Sequence, residues 1–89
     1  MITAETSPPV SSDASTLLAK VKPLAGYADA VNVTDGAGAR SHMSSLAASG
    51  LLVRAGFQPI LQMTVRDRNR LALQNDLLGA GALGIRNIL

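Results

Sequence analysis

The chain has 89 residues, room for one small domain below the usual size of roughly 100–150 residues. Nearly half of it is apolar, yet with one Tyr, one Phe and no Trp its core must be aliphatic. A formal charge of +2 is too small to argue for nucleic acid or an anionic membrane, and the lack of cysteine removes disulfides and thiolate chemistry.

The N-terminus, "MITAETSPPVSSD", lacks a basic segment followed by a long apolar run, so no signal peptide is read there. No window approaches the roughly 20 apolar residues of a spanning helix. The expectation is a single cytoplasmic domain over residues 1–89, with no membrane or nucleic-acid partner.

In chain order, "ITAE" (2–5) predicts a first strand. Pro8 and Pro9 cannot donate ladder hydrogen bonds, and Pro8 pushes Ser7 toward extended geometry, so the chain leaves the sheet just after Glu5. Glu5 is either a solvated acid at a loop start or a half-buried carboxyl among apolar neighbours. The second environment would suit a proton donor near neutral pH. Ser12 or Asp13 then caps a first helix carrying Leu17, Leu18 and Val21, which Pro23 ends.

"DAVNVT" (29–34) predicts the second strand. The following "TDGAGARS" mimics a dinucleotide-binding turn, but Ser41 stands where the third glycine would be; the glycines could simply make the turn, and a phosphate could sit near the helix start. The second helix is expected from Arg40 to Ala55, with Met43, Leu46, Ala47 and Leu51 on one face and Gly56 as its C′ residue. His42 has no partner at metal-ligand spacing, so a surface role is expected and no metal site is read.

"PILQMTV" (59–65) is the third strand. "RDRNR" (66–70) looks basic but lacks interleaved aromatics for base stacking; Asp67 reads as the cap of a third helix with Leu71, Leu78 and Ala82 on one face, Leu77 beside them and Gly84 closing it. "IRNIL" (85–89) is the fourth strand. The strands after the first read as apolar on both faces, as in parallel sheets.

Helix, glycine, short link and apolar strand recur at Gly56 and Gly84, giving an α/β chain, a βαβαβαβ parallel unit. It could begin a (β/α)8 barrel or form part of a doubly wound open sheet. A barrel takes about 250 residues, and both outer strands would be bare edges. The chain is therefore expected to be incomplete or to need a complement. In either architecture ligands bind at the strand carboxyl ends, which supply Glu5, Thr34 with Asp35, and the residues from Thr64 to Asp67.

Taken in order, "TAETSPP", "DAVNVTD", "MSSLAASGLL" and "QPILQMTVRDRNRLALQNDLLGAGALGIRNIL" resemble the N-terminal part of the methylenetetrahydrofolate reductase family across essentially the whole chain. The resemblance implies an incomplete (β/α)8 TIM barrel that holds FAD at the strand carboxyl ends. Hydride would pass from NAD(P)H through the flavin to 5,10-methylenetetrahydrofolate, giving 5-methyltetrahydrofolate in one-carbon metabolism. Glu5 with Pro8 and Pro9 matches the family's E-x-x-P-P carboxylate, the general acid that helps open the folate's five-membered ring. Thr34 matches a threonine that contacts flavin and nicotinamide.

Three positions depart from or only weakly follow the family pattern. Asp35 stands where some relatives have tyrosine, Gln62 where histidine is frequent, and Thr64 is a further cofactor-binding candidate at the same mouth. The strand-four Gly-Asp pair would fall beyond Leu89, so the chain alone is expected neither to bind FAD tightly nor to catalyse the reaction. Self-association into a homo-oligomer is a further expectation. The alternative reading is a non-catalytic βα module that works by self-association or by completing another chain.

Overall fold

The computed structural model describes residues 3–26, 28–36, 41–64 and 69–89. Strand β1 (Thr3–Thr6) leads into helix α1 (Ala14–Val21), extended by a 3-10 turn (Lys22–Leu24); β2 (Ala30–Val33), α2 (Ser45–Arg54), β3 (Pro59–Leu61), α3 (Arg70–Ala82) and β4 (Asn87–Ile88) follow. Asp13 caps α1 by accepting from the Ser15 N–H at 2.9 Å. The Ser15 hydroxyl, then the Ser15 N–H and the Thr16 hydroxyl, hold the Asp13 carboxyl below its ordinary value by favouring the charged form. Pro23 lies in the 3-10 turn, where a missing N–H is tolerated.

Helices α2 and α3 end alike. Gly56 and Gly84 take φ of +91° and +84°, a left-handed geometry that glycine adopts without a Cβ clash. Each turn closes with the paired bonds of a Schellman motif: Gly56 N–H to Val53 O and Phe57 N–H to Leu52 O, then Gly84 N–H to Gly81 O and Ile85 N–H to Ala80 O. Phe57 and Ile85 thereby fold back onto the two apolar clusters.

All four strands are parallel and lie in the order β1-β2-β3-β4. A doubly wound sheet reverses direction at a switch point, giving orders such as 3-2-1-4 or 2-1-3-4. No reversal occurs here, and α1 packs on α2 and α2 on α3 in one layer. The sheet is singly wound, as an arc of a (β/α)8 barrel is.

The helices cover one face. Leu17 and Val21 of α1, Val31 and Val33 of β2, and Ala48 and Leu52 of α2 form the main cluster; Leu61, Ala80 and Ile85 form the second. On the opposite face the paired register aligns Glu5, Asn32, Ile60 and Asn87 in one row, of which Glu5 and Asn87 are exposed and Asn32 and Ile60 half-buried. The strands are thus not buried on both faces: the helix layer seals one side only.

Two helical stripes differ from expectation. Helix α2 starts at Ser45 with Ser44 as its cap, accepting from Ala47 N–H, rather than at Arg40, which lies outside the described residues. Met43 precedes the helix and still packs against the main cluster. The sheet-facing residues are Ser45, Ala48, Ser49 and Leu52, while Ala47 is exposed. Small side chains on this stripe let the helix approach the strands.

In α3 the cap is Asn69, accepting from Ala72 N–H; Asp67 lies outside the described residues. Leu71 and Leu78 are 66% and 77% exposed, so the expected leucine face points away from the sheet, and Ala80 is the buried residue. Gly79 lies beside Leu46 of α2. A leucine count carries no information about which side the sheet occupies. Among the described residues no helix is long and apolar enough to cross a membrane.

Candidate active site

The strand carboxyl ends converge at one edge of the sheet. Thr34 N–H donates to Thr6 O at 3.1 Å, Gln62 N–H to Val33 O at 3.2 Å, and Leu89 N–H to Leu61 O at 2.8 Å. The parallel ladder therefore runs one step beyond the strands and sets Ser7, Thr34 and Gln62 side by side, two residues beyond the Glu5 row and on the same face. The Thr34 hydroxyl donates to the Ser7 hydroxyl at 3.1 Å, which places both side chains on the same side.

Glu5 is exposed and sits on the open face, not half-buried among apolar neighbours as one reading expected. The alternation of the strand turns Thr6 toward the helices, where it is buried, and Glu5 away from them. Gln62 is held by its backbone: its carbonyl accepts from the buried Ser45 hydroxyl at 2.8 Å.

Asp35 and Thr64 are brought together. One Asp35 carboxylate oxygen accepts from Thr64 N–H at 2.9 Å and from its hydroxyl at 3.3 Å. This staple joins the ends of β2 and β3 and orders the rim beside Thr34 and Gln62. Gly36 makes the turn out of β2 with φ of +60°; Gly38 and the "RDR" of the basic stretch lie outside the described residues.

The exit of β1 is tied down from the helix side. Pro8 and Pro9 are buried. His42 Nδ1 donates to Pro8 O at 2.8 Å, Met43 N–H to Pro9 O at 2.7 Å, and Lys20 Nζ to Ser7 O at 2.7 Å. These bonds draw three successive carbonyls toward the helix layer and leave the Glu5 face open. His42 is half-buried and holds this exit, a more specific role than the surface position expected of it. No sequence spacing signals the bond, because it spans two separate βα loops.

Asn32, to which the sequence assigned no role, pairs with Glu5 on the open face. A polar amide in the valine-rich "AVNV" was the available signal, since period-two alternation puts it on the face opposite Val31 and Val33.

A polar open face at the carboxyl ends of singly wound parallel strands is where barrel enzymes place their chemistry. A search of curated proteins returned no match. A family model described as methylenetetrahydrofolate reductase matches residues 1–89. The ordered strand ends, the single layer of helices and this whole-length match lead to one conclusion: the chain belongs to the methylenetetrahydrofolate reductase family.

Proposed function

We propose that the chain forms the proton-donating part of a flavin-dependent site that reduces 5,10-methylenetetrahydrofolate to 5-methyltetrahydrofolate. One observation carries this reading: Glu5 stands on the open face directly below the row of Thr34 and Gln62, at the strand carboxyl ends. Bound FAD would supply hydride chemistry at this edge, with NAD(P)H as the source of the hydride and the folate as its acceptor. The residues at this edge fit such a group: a hydroxyl, a primary amide and an open polar face can bond a heterocyclic ring, and Thr34 and Gln62 are those that would hold it.

Glu5, protonated, gives its proton to the folate ring nitrogen that departs as the C–N bond of the five-membered ring breaks. Its exposure on the open face leaves it within reach of a substrate. Asp35, engaged by Thr64, keeps the β2 and β3 ends at a set separation. Thr64 contributes to the rim through the same staple.

Replacing Glu5 by Gln in the flavin-loaded enzyme tests the assignment. Flavin reduction by NAD(P)H stays within about twofold, while folate reduction falls at least about a hundredfold. Folate reduction at the unaltered rate refutes the acid role.

A second reading is a βα module acting through its sheet edges. It is favoured by Ile88 and Leu89 of the β4 edge, which are 44% and 76% exposed. Sedimentation of the 89-residue chain separates the two: a stable oligomer that binds no flavin supports the module.

A further inference from the structure

We infer that Asn32 is a positioning residue for Glu5, holding the carboxyl in the orientation from which it donates its proton. The inference rests on the proposed acid role of Glu5.

In "AVNV" the two valines are buried against the helices at 1% and 0% exposure, and Asn32 is the sole polar residue of β2. Asparagine is disfavoured in strand interiors, where β-branched and aromatic side chains pack better. A core role does not explain it, because alternation turns it away from the core.

The register supplies the partner. Glu5 pairs with Asn32 in the β1–β2 ladder, and paired residues of parallel neighbours leave the same face with strands about 4.8 Å apart. On its other side Asn32 pairs with Ile60, which has no polar atom in its side chain. The row Glu5, Asn32, Ile60, Asn87 holds no second titratable group. Asn32 is thus the one polar side chain in that row adjacent to the acid.

An amide suits the task. Its NH2 can donate to the carboxylate and its oxygen can accept from the protonated acid, so it can orient Glu5 before and after proton transfer. It carries no charge, and so biases neither state by Coulomb attraction or repulsion. A carboxylate at this position would favour the protonated acid, and an ammonium group would favour the ionised one.

The test uses the flavin-loaded enzyme with the two half-reactions measured separately. Asn32→Ala should slow folate reduction about tenfold and leave flavin reduction by NAD(P)H unchanged. Asn32→Thr, a good strand former, should do the same and guards against loss of β2 packing. Asn32→Asp should move the basic limb of the folate pH–rate profile upward by about one pH unit, because a neighbouring negative charge keeps Glu5 protonated to higher pH.

Equal losses in both half-reactions, or an unchanged folate rate in the Ala and Thr variants, overturn the inference. So does an unmoved limb in Asn32→Asp. Glu5→Gln measured alongside distinguishes the failures. If that variant is impaired while those at Asn32 are silent, only the positioning role falls. If it reduces folate normally, the acid role falls and this inference with it.

Discussion

Helix α2 presents two fully buried serines to the sheet, and they differ in one respect. The Ser45 hydroxyl donates to Gln62 O at 2.8 Å, whereas the Ser49 hydroxyl has no hydrogen-bond partner among the described residues. Ser49→Ala removes a buried unpaired hydroxyl, which costs about 1–3 kcal/mol when left unsatisfied. Alanine also gains up to about 0.5 kcal/mol in helix propensity. The missing oxygen leaves a gap smaller than a methyl group, forfeiting roughly 0.5 kcal/mol of contacts. The propensity gain and the lost contacts roughly cancel, so the net expectation is a stabilisation of about 1–3 kcal/mol. Ser45→Ala carries the opposite sign, losing a bond worth about 1 kcal/mol and leaving the Gln62 carbonyl short of a donor.

Urea and thermal unfolding of the two variants beside the unaltered protein measure both effects. At roughly 4–8 °C per kcal/mol for a domain of this size, Ser49→Ala raises Tm by at least about 4 °C and Ser45→Ala lowers it by a similar amount. If Ser49→Ala is neutral or destabilising while Ser45→Ala destabilises, the Ser49 hydroxyl has a partner in solution and the reasoning fails.

Asp35→Ala removes the acceptor for both Thr64 donors; it should cost about 1–2 kcal/mol in urea unfolding and speed hydrogen exchange at the Thr64 amide specifically. Asp13 has a carboxyl held below its ordinary value of 3.8, so its contribution to stability is present above that value and is lost as pH falls through the lower, folded-state value. Stability measured from about pH 5 down to about pH 2 should therefore fall less steeply in Asp13→Asn than in the unaltered protein; parallel curves would count against the cap as a source of acid sensitivity. The Glu5→Gln and Asn32 variants test the chemistry in the flavin-loaded enzyme.

What the sequence determined by itself was local. The order of strands and helices, the cap at Asp13 and the closing glycines at 56 and 84 follow from interactions within a few residues, and the chain shows them where the residue types predict them. The strand-end positions of Glu5 and Thr34 were legible for the same reason, since a strand's exit is marked by the residues that break it; the third strand was read as running to residue 65, whereas it ends at Leu61, so Gln62 stands at a strand end that its neighbours did not signal. The start of α2 was less legible: Arg40 through Met43 fit a helical pattern, but Ser44 offers the first amides a better acceptor and the loop before it is held by Pro8 and Pro9.

Only the tertiary structure decided which faces mattered. Leu71 and Leu78 share a helical stripe, yet it is Ala80 that meets the core beside Leu61 and Ile85, a choice of face that the helix's own residues do not fix. Glu5 points to the open face, Asp35 engages Thr64, His42 holds Pro8 and Asn32 lies beside Glu5 because parallel register joins residues far apart in the chain. Such pairings depend on strand order, and several strand orders are compatible with one βαβαβαβ pattern. The order β1-β2-β3-β4, with one helix layer, turned a row of separate strand ends into a single polar edge.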